Sequence, residues 1–243
     1  MAKLNTNSNA YTIIYATVIV VIVALLLAVV SSALKPKQEA NILLDTRKQI
    51  LSSLNLDLKG QDVDALYEKT IVVDTLGFVT DKAGKEVPQI IYNATLEDGS
   101  KKYIVPMNGA GLWGAIWGYI ALNDDKSTIY GTYFNHASET PGLGGEITTE
   151  KFQNGFIGKH ILNEGVLKLI EIVKGEPQEE QVAAISGATI TSKGVETMIN
   201  TTLDTYKPFL SEPQQAVSEE QVISCPVGEG ETADVEPLTE EEK

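Results

Sequence analysis

The stretch Ser186-Gly187-Ala188-Thr189-Ile190-Thr191-Ser192 places hydroxyl side chains around a Gly-Ala bend. Apolar residues at helical spacing follow it, and they predict a helix that buries Val195, Met198, Ile199 and Leu203. Small residues let a ligand approach the backbone, and the free amides at a helix start suit a phosphate. A threonine hydroxyl here can hydrogen-bond a phosphate or carry one as an ester. Alternatively, Thr191 or Ser192 only caps the helix by accepting a hydrogen bond from a free amide.

A second segment, Gly109 to Gly118, sets glycines among two tryptophans. Glycine allows close backbone approach, and an indole offers a flat apolar wall to a ring system, so Leu112 and Trp113 become candidate ligand contacts. The segment is not a dinucleotide-binding fingerprint, because it lacks the later glycine and the strand–helix frame. The alternative interpretation is a bulged strand whose tryptophans belong to the core.

A third segment, His136 to Gly145, is a glycine-rich loop that contains Pro141. Glu139 and Thr140 can hydrogen-bond the polar edge of a ligand, and Leu143 can lie on an apolar face. His136 and Glu139 have a spacing seen in some metal sites, but Pro141 argues against a helix that would bring them together. No credible nucleophile accompanies them, so we predict neither a metal site nor a catalytic residue.

Ser-Gly-Ala-Thr followed by Ile-Thr-Ser resembles the flavinylation motif of the FMN-binding domain family, in which FMN is joined by a phosphoester to the threonine, here Thr189. The family pattern has Asp three residues before the serine, where this chain has Ala183. The departure concerns how well a modifying enzyme recognises the site. The three motifs, in their order along the chain after one N-terminal anchor, are similar to two families: the C subunit of the sodium-translocating NADH:quinone oxidoreductase and the G subunit of the related Rnf complex. The segment after the anchor looks more like the first of these.

The resemblance implies a set of FMN contacts in the three motifs. They are Ser186, Gly187, Ala188, Thr189, Glu139, Thr140, Gly142, Leu143, Leu112 and Trp113. It also implies an electron carrier without turnover of its own, which receives electrons from an iron–sulfur centre in a membrane partner and passes them to another covalent flavin. A separate flavin transferase would attach the FMN from FAD, and quinone reduction and sodium pumping would belong to the assembly. Three alternatives stay open: the Rnf G subunit, a membrane-anchored binding or scaffold protein without a cofactor, and a periplasmic flavin reductase that acts alone.

Composition narrows the choice of chemistry. The 243 residues carry a formal net charge of −14, so nucleic acid is an unexpected partner. The single cysteine, Cys225, cannot form an intrachain disulfide, and with two histidines the chain has no cluster for zinc or iron–sulfur. Any redox chemistry must therefore come from a bound organic cofactor.

The N-terminus carries a membrane signal. No side chain from Ala10 to Leu34 is charged, and Ile13 to Val30 is nearly all aliphatic, about the length that crosses a bilayer as a helix. A cleaved signal peptide ending at Ser31-Ser32-Ala33 is the alternative, although the apolar run is longer than a usual signal core. The positive-inside rule, counted literally, favours a cytoplasmic C-terminal part, because Lys35, Lys37, Arg47 and Lys48 follow the span. The resemblance implies the opposite, a single-pass protein of a bacterial inner membrane with its soluble domain in the periplasm.

The remaining pattern predicts an α+β fold with a curved, mostly antiparallel sheet flanked by helices. We expect a short N-terminal segment (residues 1–10), a transmembrane helix (11–34), a helical connector (35–69), an FMN-binding domain (70–210) and an acidic, disordered tail (211–243). Within the connector the spacing predicts an amphipathic helix over 39–56 and a short one over 62–69. The expected strands are 71–74, 77–79, 89–95, 102–106, 117–122, 128–134 and 167–173, with another helical segment over 150–156.

Overall fold

The computed structural model describes residues 8–80, 84, 86–163 and 166–211. Most of the predicted N-terminal segment, part of the turn expected at 81–84, and all of the predicted acidic tail except Ser211 lie outside the described residues, as does Cys225.

The apolar N-terminal run forms one end of a long helix, α1 (Asn9–Ser52), in which the side chain of Ser8 caps the first turn. Its most apolar 18 residues have a mean hydropathy of 3.2 and are not buried, so this helix is long and apolar enough to cross a membrane. The helix continues through Pro36 into the connector. The separate amphipathic helix predicted over 39–56 is therefore wrong in its boundaries, since residues 39–52 are the end of α1.

The second predicted connector helix is present as α2 (Val63–Thr70). Asp62 caps it by accepting hydrogen bonds from the amides of Asp64 and Ala65. Arg47 of α1 lies over the ring of Tyr67 and forms an ion pair with Asp64 at 2.7 Å, which ties the two helices together.

Five consecutive strands form one antiparallel sheet in the order β1-β2-β3-β4-β5, as the alternating pattern and turn residues predicted. The strands are β1 (Ile71–Thr80), β2 (Glu86–Thr95), β3 (Lys101–Ala110), β4 (Ala115–Asn123) and β5 (Ile129–His136). The two short strands expected at 71–74 and 77–79 are one strand, with a register shift between Thr75 and Gly77.

After β5 the chain runs through short elements before the last helix. They are a 3₁₀ turn (Gly144–Thr148), α3 (Glu150–Gln153), a second 3₁₀ turn (Asn154–Phe156), β6 (Leu162–Asn163), β7 (Val166–Leu167), β8 (Glu171–Val173), β9 (Gln181–Ala183) and α4 (Thr189–Leu210). β8 and β9 pair in parallel. The single strand predicted over 167–173 is wrong, because the Asn200 side chain bonds both the N–H and the C=O of Ile170 and removes them from strand pairing.

Each face of the sheet packs against helices. On one face Ile116, Ile120 and Phe134 join the apolar stripe of α4, which includes Val195 and Ile199. On the other face the end of α1 and the residues of α2 pack through a second cluster. The alternation along β4 explains the division, because successive side chains point to opposite faces of a strand.

Candidate functional site

The last helix is present, but it begins inside the motif that the sequence placed ahead of it, and its first residue is Thr189. Ala188 takes the cap position without a side-chain cap. The alternative in which Thr191 or Ser192 caps the helix is wrong, because both side chains are buried inside the first turn and bond elsewhere. The Thr191 hydroxyl donates to Glu139 Oε2 at 2.6 Å, and Ser192 Oγ accepts from the Ile185 amide. The amides of the first helical turn have no carbonyl four residues earlier within the helix, so they point outward as an anion site does.

Close packing holds the start of α4 on the end of β3. A Cβ on Gly109 would lie 2.7 Å from Met198 Cβ, and one on Gly194 would lie 2.5 Å from the Ala110 carbonyl oxygen. Only glycines allow this approach. Because β3 continues into the loop 111–114, the same contact fixes where that loop begins relative to α4.

The loop 111–114 connects β3 to β4 and is closed by a hydrogen bond from the Gly111 amide to the Gly114 carbonyl. The loop 137–143 holds the backbone of Trp113 by two hydrogen bonds. The Trp113 amide donates to Glu139 Oε1 at 2.7 Å, and the Trp113 carbonyl accepts from Ser138 Oγ at 3.2 Å. The indole itself is 67% exposed. The backbone of Trp113 is therefore fixed while its ring stays open to a ligand.

Trp117, the other tryptophan of this segment, does not belong to the site. Its Nε1–H donates to Gln49 Oε1 at 3.0 Å, on the face of the sheet that packs against α1. This placement follows from the alternation of β4 and separates the two indoles that the sequence grouped together.

The loop 137–143 follows β5 and turns tightly at Gly142, whose φ is +75°. The Thr140 carbonyl accepts from the amides of Leu143 and Gly145. Thr140 and Gly142 are exposed, as are Pro141 and Leu143. His136 closes the base of the loop, since its Nδ1 accepts from the Glu139 amide at 3.1 Å and the neutral ring then carries its proton on Nε2. The imidazole does not pair with the Glu139 carboxylate through this bond, and no cluster of potential metal ligands occurs within the described residues.

The Glu139 carboxylate is the most constrained polar group of the site. Only 4% of the residue is exposed. Burial by itself would raise the pKa of Glu139, but hydrogen bonds from the Thr191 hydroxyl and from the amides of Trp113, Gly114 and Leu112 outweigh it and hold the pKa below its usual value. Glu139 is therefore an anion bound by the protein's own donors.

The three predicted motifs thus meet at one place on the surface. Gly187 has a φ of +77°, and a Cβ on it would lie 2.8 Å from Leu143 Cδ2, so the bend and the glycine loop touch. Ser186 and Gly187 are exposed, Ala188 is buried and Thr189 is half-buried. Leu112 is exposed beside Trp113. A partly open surface with a hydroxyl, free amides and apolar side chains fits a phosphate-bearing aromatic cofactor such as FMN.

Sequence reasoning missed two contributors to this site. Ile190 is 60% exposed next to Thr189, and an isoleucine off the apolar stripe of α4 was the available signal. Gly144 packs against both the Glu139 carboxylate and Thr191 Oγ1, but nothing local in the sequence distinguishes it from the other loop glycines.

Comparison with known proteins identifies the family of the chain. Residues 111–204 match the model of the FMN-binding domain family. The chain is similar to the C subunit of the Na(+)-translocating NADH-quinone reductase of Neisseria meningitidis serogroup B, at 34% identity over 80% of this chain and 89% of the relative. It is similar to the same subunit of Haemophilus ducreyi, at 30% identity over 81% of this chain and 90% of the relative.

Solved structures have the same architecture. The C subunit of the Na(+)-translocating NADH-quinone reductase from Parabacteroides distasonis superposes with a TM-score of 0.65 at 36% identity, over 74% of this chain and 98% of that chain. A protein named NqrC from Shewanella oneidensis superposes with a TM-score of 0.59 over 68% of this chain and 96% of that chain. At 22% identity, that second likeness supports the fold alone.

Proposed function

The chain belongs to the family of the C subunit of the Na+-translocating NADH-quinone reductase, and from this premise we propose that it relays electrons through FMN joined to Thr189 by a phosphoester. Of the two families that the sequence resembled, the relatives described above belong to this one. The electron-carrier role is that of one component in a multisubunit membrane complex, with no turnover by the isolated chain.

One observation carries the proposal: the hydroxyl of Thr189 stands at the first residue of α4, beside the two other motifs. A phosphate on that hydroxyl lies at the positive end of the helix dipole, where the first amides can donate to it. Gly187 leaves the space before the threonine free of a side chain. Bound FMN supplies the redox chemistry.

The apolar side chains around Thr189 would bind the ring system. Trp113 offers an exposed indole face, and Leu112, Leu143 and Ile190 offer exposed aliphatic surface in the adjoining segments. Thr140 and Gly142 supply polar backbone and hydroxyl groups at the edge. A covalent bond would keep the cofactor on such an open surface, because its local concentration stays high without an enclosing pocket.

We place the protein in a bacterial inner membrane through α1, with the soluble domain in the periplasm. An electron carrier needs a donor and an acceptor, so the proposed partners are the other subunits of the complex. A flavin transferase is the proposed partner for maturation. The redox proteins that give and take electrons would dock where the flavin is exposed.

In-gel fluorescence tests the linkage directly. The full-length chain, co-expressed with a flavin transferase, should give a fluorescent band that survives denaturation, and Thr189→Ala should abolish it. Thr201→Ala, an exposed threonine farther along α4, should leave the band unchanged. A band that persists in Thr189→Ala would place the linkage elsewhere, and a wild-type chain without flavin would favour the scaffold alternative.

A further inference from the structure

The Glu139 carboxylate joins three segments that are far apart in sequence. Its Oε2 accepts from the Thr191 hydroxyl in the first turn of α4 at 2.6 Å, and its Oε1 accepts from the Trp113 amide at 2.7 Å. The amide of Glu139 in turn donates to His136 Nδ1. One side chain therefore connects the loop 111–114, the loop 137–143 and the start of α4.

Glycines surround this carboxylate where any side chain would collide with it. A Cβ on Gly111 would lie 2.5 Å from Glu139 Oε1, and a Cβ on Gly144 would meet Oε2 and lie 2.6 Å from Thr191 Oγ1. Such contacts are closer than real Cβ atoms adopt, so the backbone has been fitted around the carboxylate. The glycines pack closely around the carboxylate and leave the Glu139 side chain little freedom to turn toward solvent.

We propose that Glu139 is a positioning residue for the flavin: through its hydrogen bond to Thr191 it fixes the Trp113 loop against the first turn of α4, and so sets where Trp113 and Thr189 stand relative to FMN. This inference rests on the proposed function. It differs from the sequence expectation, in which Glu139 lies along the isoalloxazine.

The burial of Glu139 supports an indirect effect on the flavin, through the residues that Glu139 holds in place. The residue is only 4% exposed, and both carboxylate oxygens are occupied by donors of the protein. Direct contact with FMN would require the buried carboxylate to turn toward solvent, which would break these hydrogen bonds and leave their donors without a partner.

The experiment uses the full-length chain co-expressed with a flavin transferase, in five forms: wild type, Glu139→Gln, Thr191→Val, Thr191→Ser and the double variant that combines Glu139→Gln with Thr191→Val. Intact-mass measurement over time gives the rate of FMN attachment. Visible-region circular dichroism of the loaded protein reports how asymmetrically the flavin is held.

Thr191→Val is the decisive variant, because it keeps the charge of Glu139 and removes only the hydroxyl that links it to α4. We expect Thr191→Val and Glu139→Gln each to slow attachment about tenfold and to change the visible spectrum in the same direction, since small displacements of a reacting group are costly. Thr191→Ser should restore both. The double variant should be no worse than the worse single variant, because both changes break one connection.

Three control variants distinguish a loss of positioning from a general loss of stability. Thr197→Val repeats the chemical change on an exposed threonine of the same helix, and Glu150→Gln neutralises an exposed glutamate. Gly158→Ala strains a residue at φ +79° with open space around it, and so lowers stability away from the site. All three should load at the wild-type rate, measured at a temperature where far-UV circular dichroism shows every variant folded.

Each contrary outcome has a distinct meaning. If Thr191→Val loads and absorbs as wild type while Glu139→Gln does not, Glu139 acts on the flavin directly and the positioning role is overturned. If both variants behave as wild type, or Gly158→Ala slows attachment as much as they do, the role is likewise overturned. A wild-type chain that never acquires FMN overturns the proposed function together with this inference.

Discussion

Thr189 and Thr191 lie in different environments although only one residue separates them. A helix turns about 100° per residue, so their side chains point to different sides of α4. Thr191 is 1% exposed and bonded to Glu139, whereas Thr189 is half-buried at the surface. The sequence identified Thr189 through its motif, but it could not distinguish a buried linking hydroxyl from a helix cap. That distinction depends on Glu139, which is 52 residues away.

The buried carboxylate predicts a pH dependence of stability. The pKa of Glu139 is lowered in the folded chain from the ordinary value of 4.5. The stabilisation is therefore complete above that value and is lost as the pH falls through the lower folded pKa. We expect the free energy of unfolding, measured with urea at about pH 6 and about pH 3, to fall more for wild type than for Glu139→Gln. Equal falls in the two proteins would contradict the assignment.

Substitution of Gly187 should lower FMN loading as well as stability, whereas substitution of Gly158 should lower stability alone. At φ +77°, alanine costs about 1–2 kcal/mol of backbone strain, and its Cβ would also displace Leu143. Gly158→Ala, with φ +79° and open space, carries the same strain alone. Urea unfolding should show similar losses for both variants, while intact mass should show reduced FMN loading for Gly187→Ala only. Normal loading of Gly187→Ala would mean that the bend does not contact the cofactor.

At the scale of elements, the long helix α1 belongs partly to the soluble domain. Ile50, Leu51 and Leu54 at and just beyond its end are fully buried in the cluster shared with α2 and the sheet. The sequence placed these residues in a connector and began the domain at residue 70. The structure instead makes the end of α1 one wall of the core, so the apolar N-terminal run and the domain share one continuous helix.

Truncation of a core leucine tests this view of α1. Leu51→Ala in the full-length chain should lower the free energy of unfolding by about 2–5 kcal/mol, because it leaves a cavity in the second core cluster. Leu43→Ala, on an exposed part of the same helix, should cost about 0.5 kcal/mol or less. Similar small losses for both would show that the end of α1 is dispensable to the domain.

The elements that the sequence predicted well are those with a strong local signal. The five-stranded sheet follows from alternation and turn residues, and α4 follows from an apolar stripe. One error arose where a distant side chain decides the local structure, because Asn200 breaks the strand expected over 167–173 by bonding Ile170. That partner is not visible in a short window of sequence. The other error was to expect two separate helices where α1 continues unbroken through Pro36.

At the scale of the whole molecule, the question is on which side of the membrane the soluble domain would lie. The positive-inside count and the resemblance give opposite answers. The structure places Arg47, one of the four counted charges, in ion pairs with Asp64 and Glu68 of the α2 helix. Arg47 therefore acts within the domain, and the count of charges beside the membrane is smaller than the sequence indicated.

The single cysteine allows a direct test of orientation. Cys225 is the only thiol in the chain, so a membrane-impermeant maleimide needs no engineered site. In cells with a permeabilised outer membrane, the wild-type chain should be labelled before lysis and Cys225→Ser should not. Detergent-solubilised membranes give the total reactivity for comparison. Labelling that occurs only after the inner membrane is opened would place the domain in the cytoplasm.

The electron-carrier role depends most on the covalent link between FMN and Thr189, and peptide mass spectrometry of the protein from its own host membranes tests it most directly. The peptide that contains Ser186 to Ser192 should carry the mass of FMN less one water, and fragmentation should assign it to Thr189. If this peptide is recovered quantitatively without the addition, the covalent electron-carrier role is contradicted.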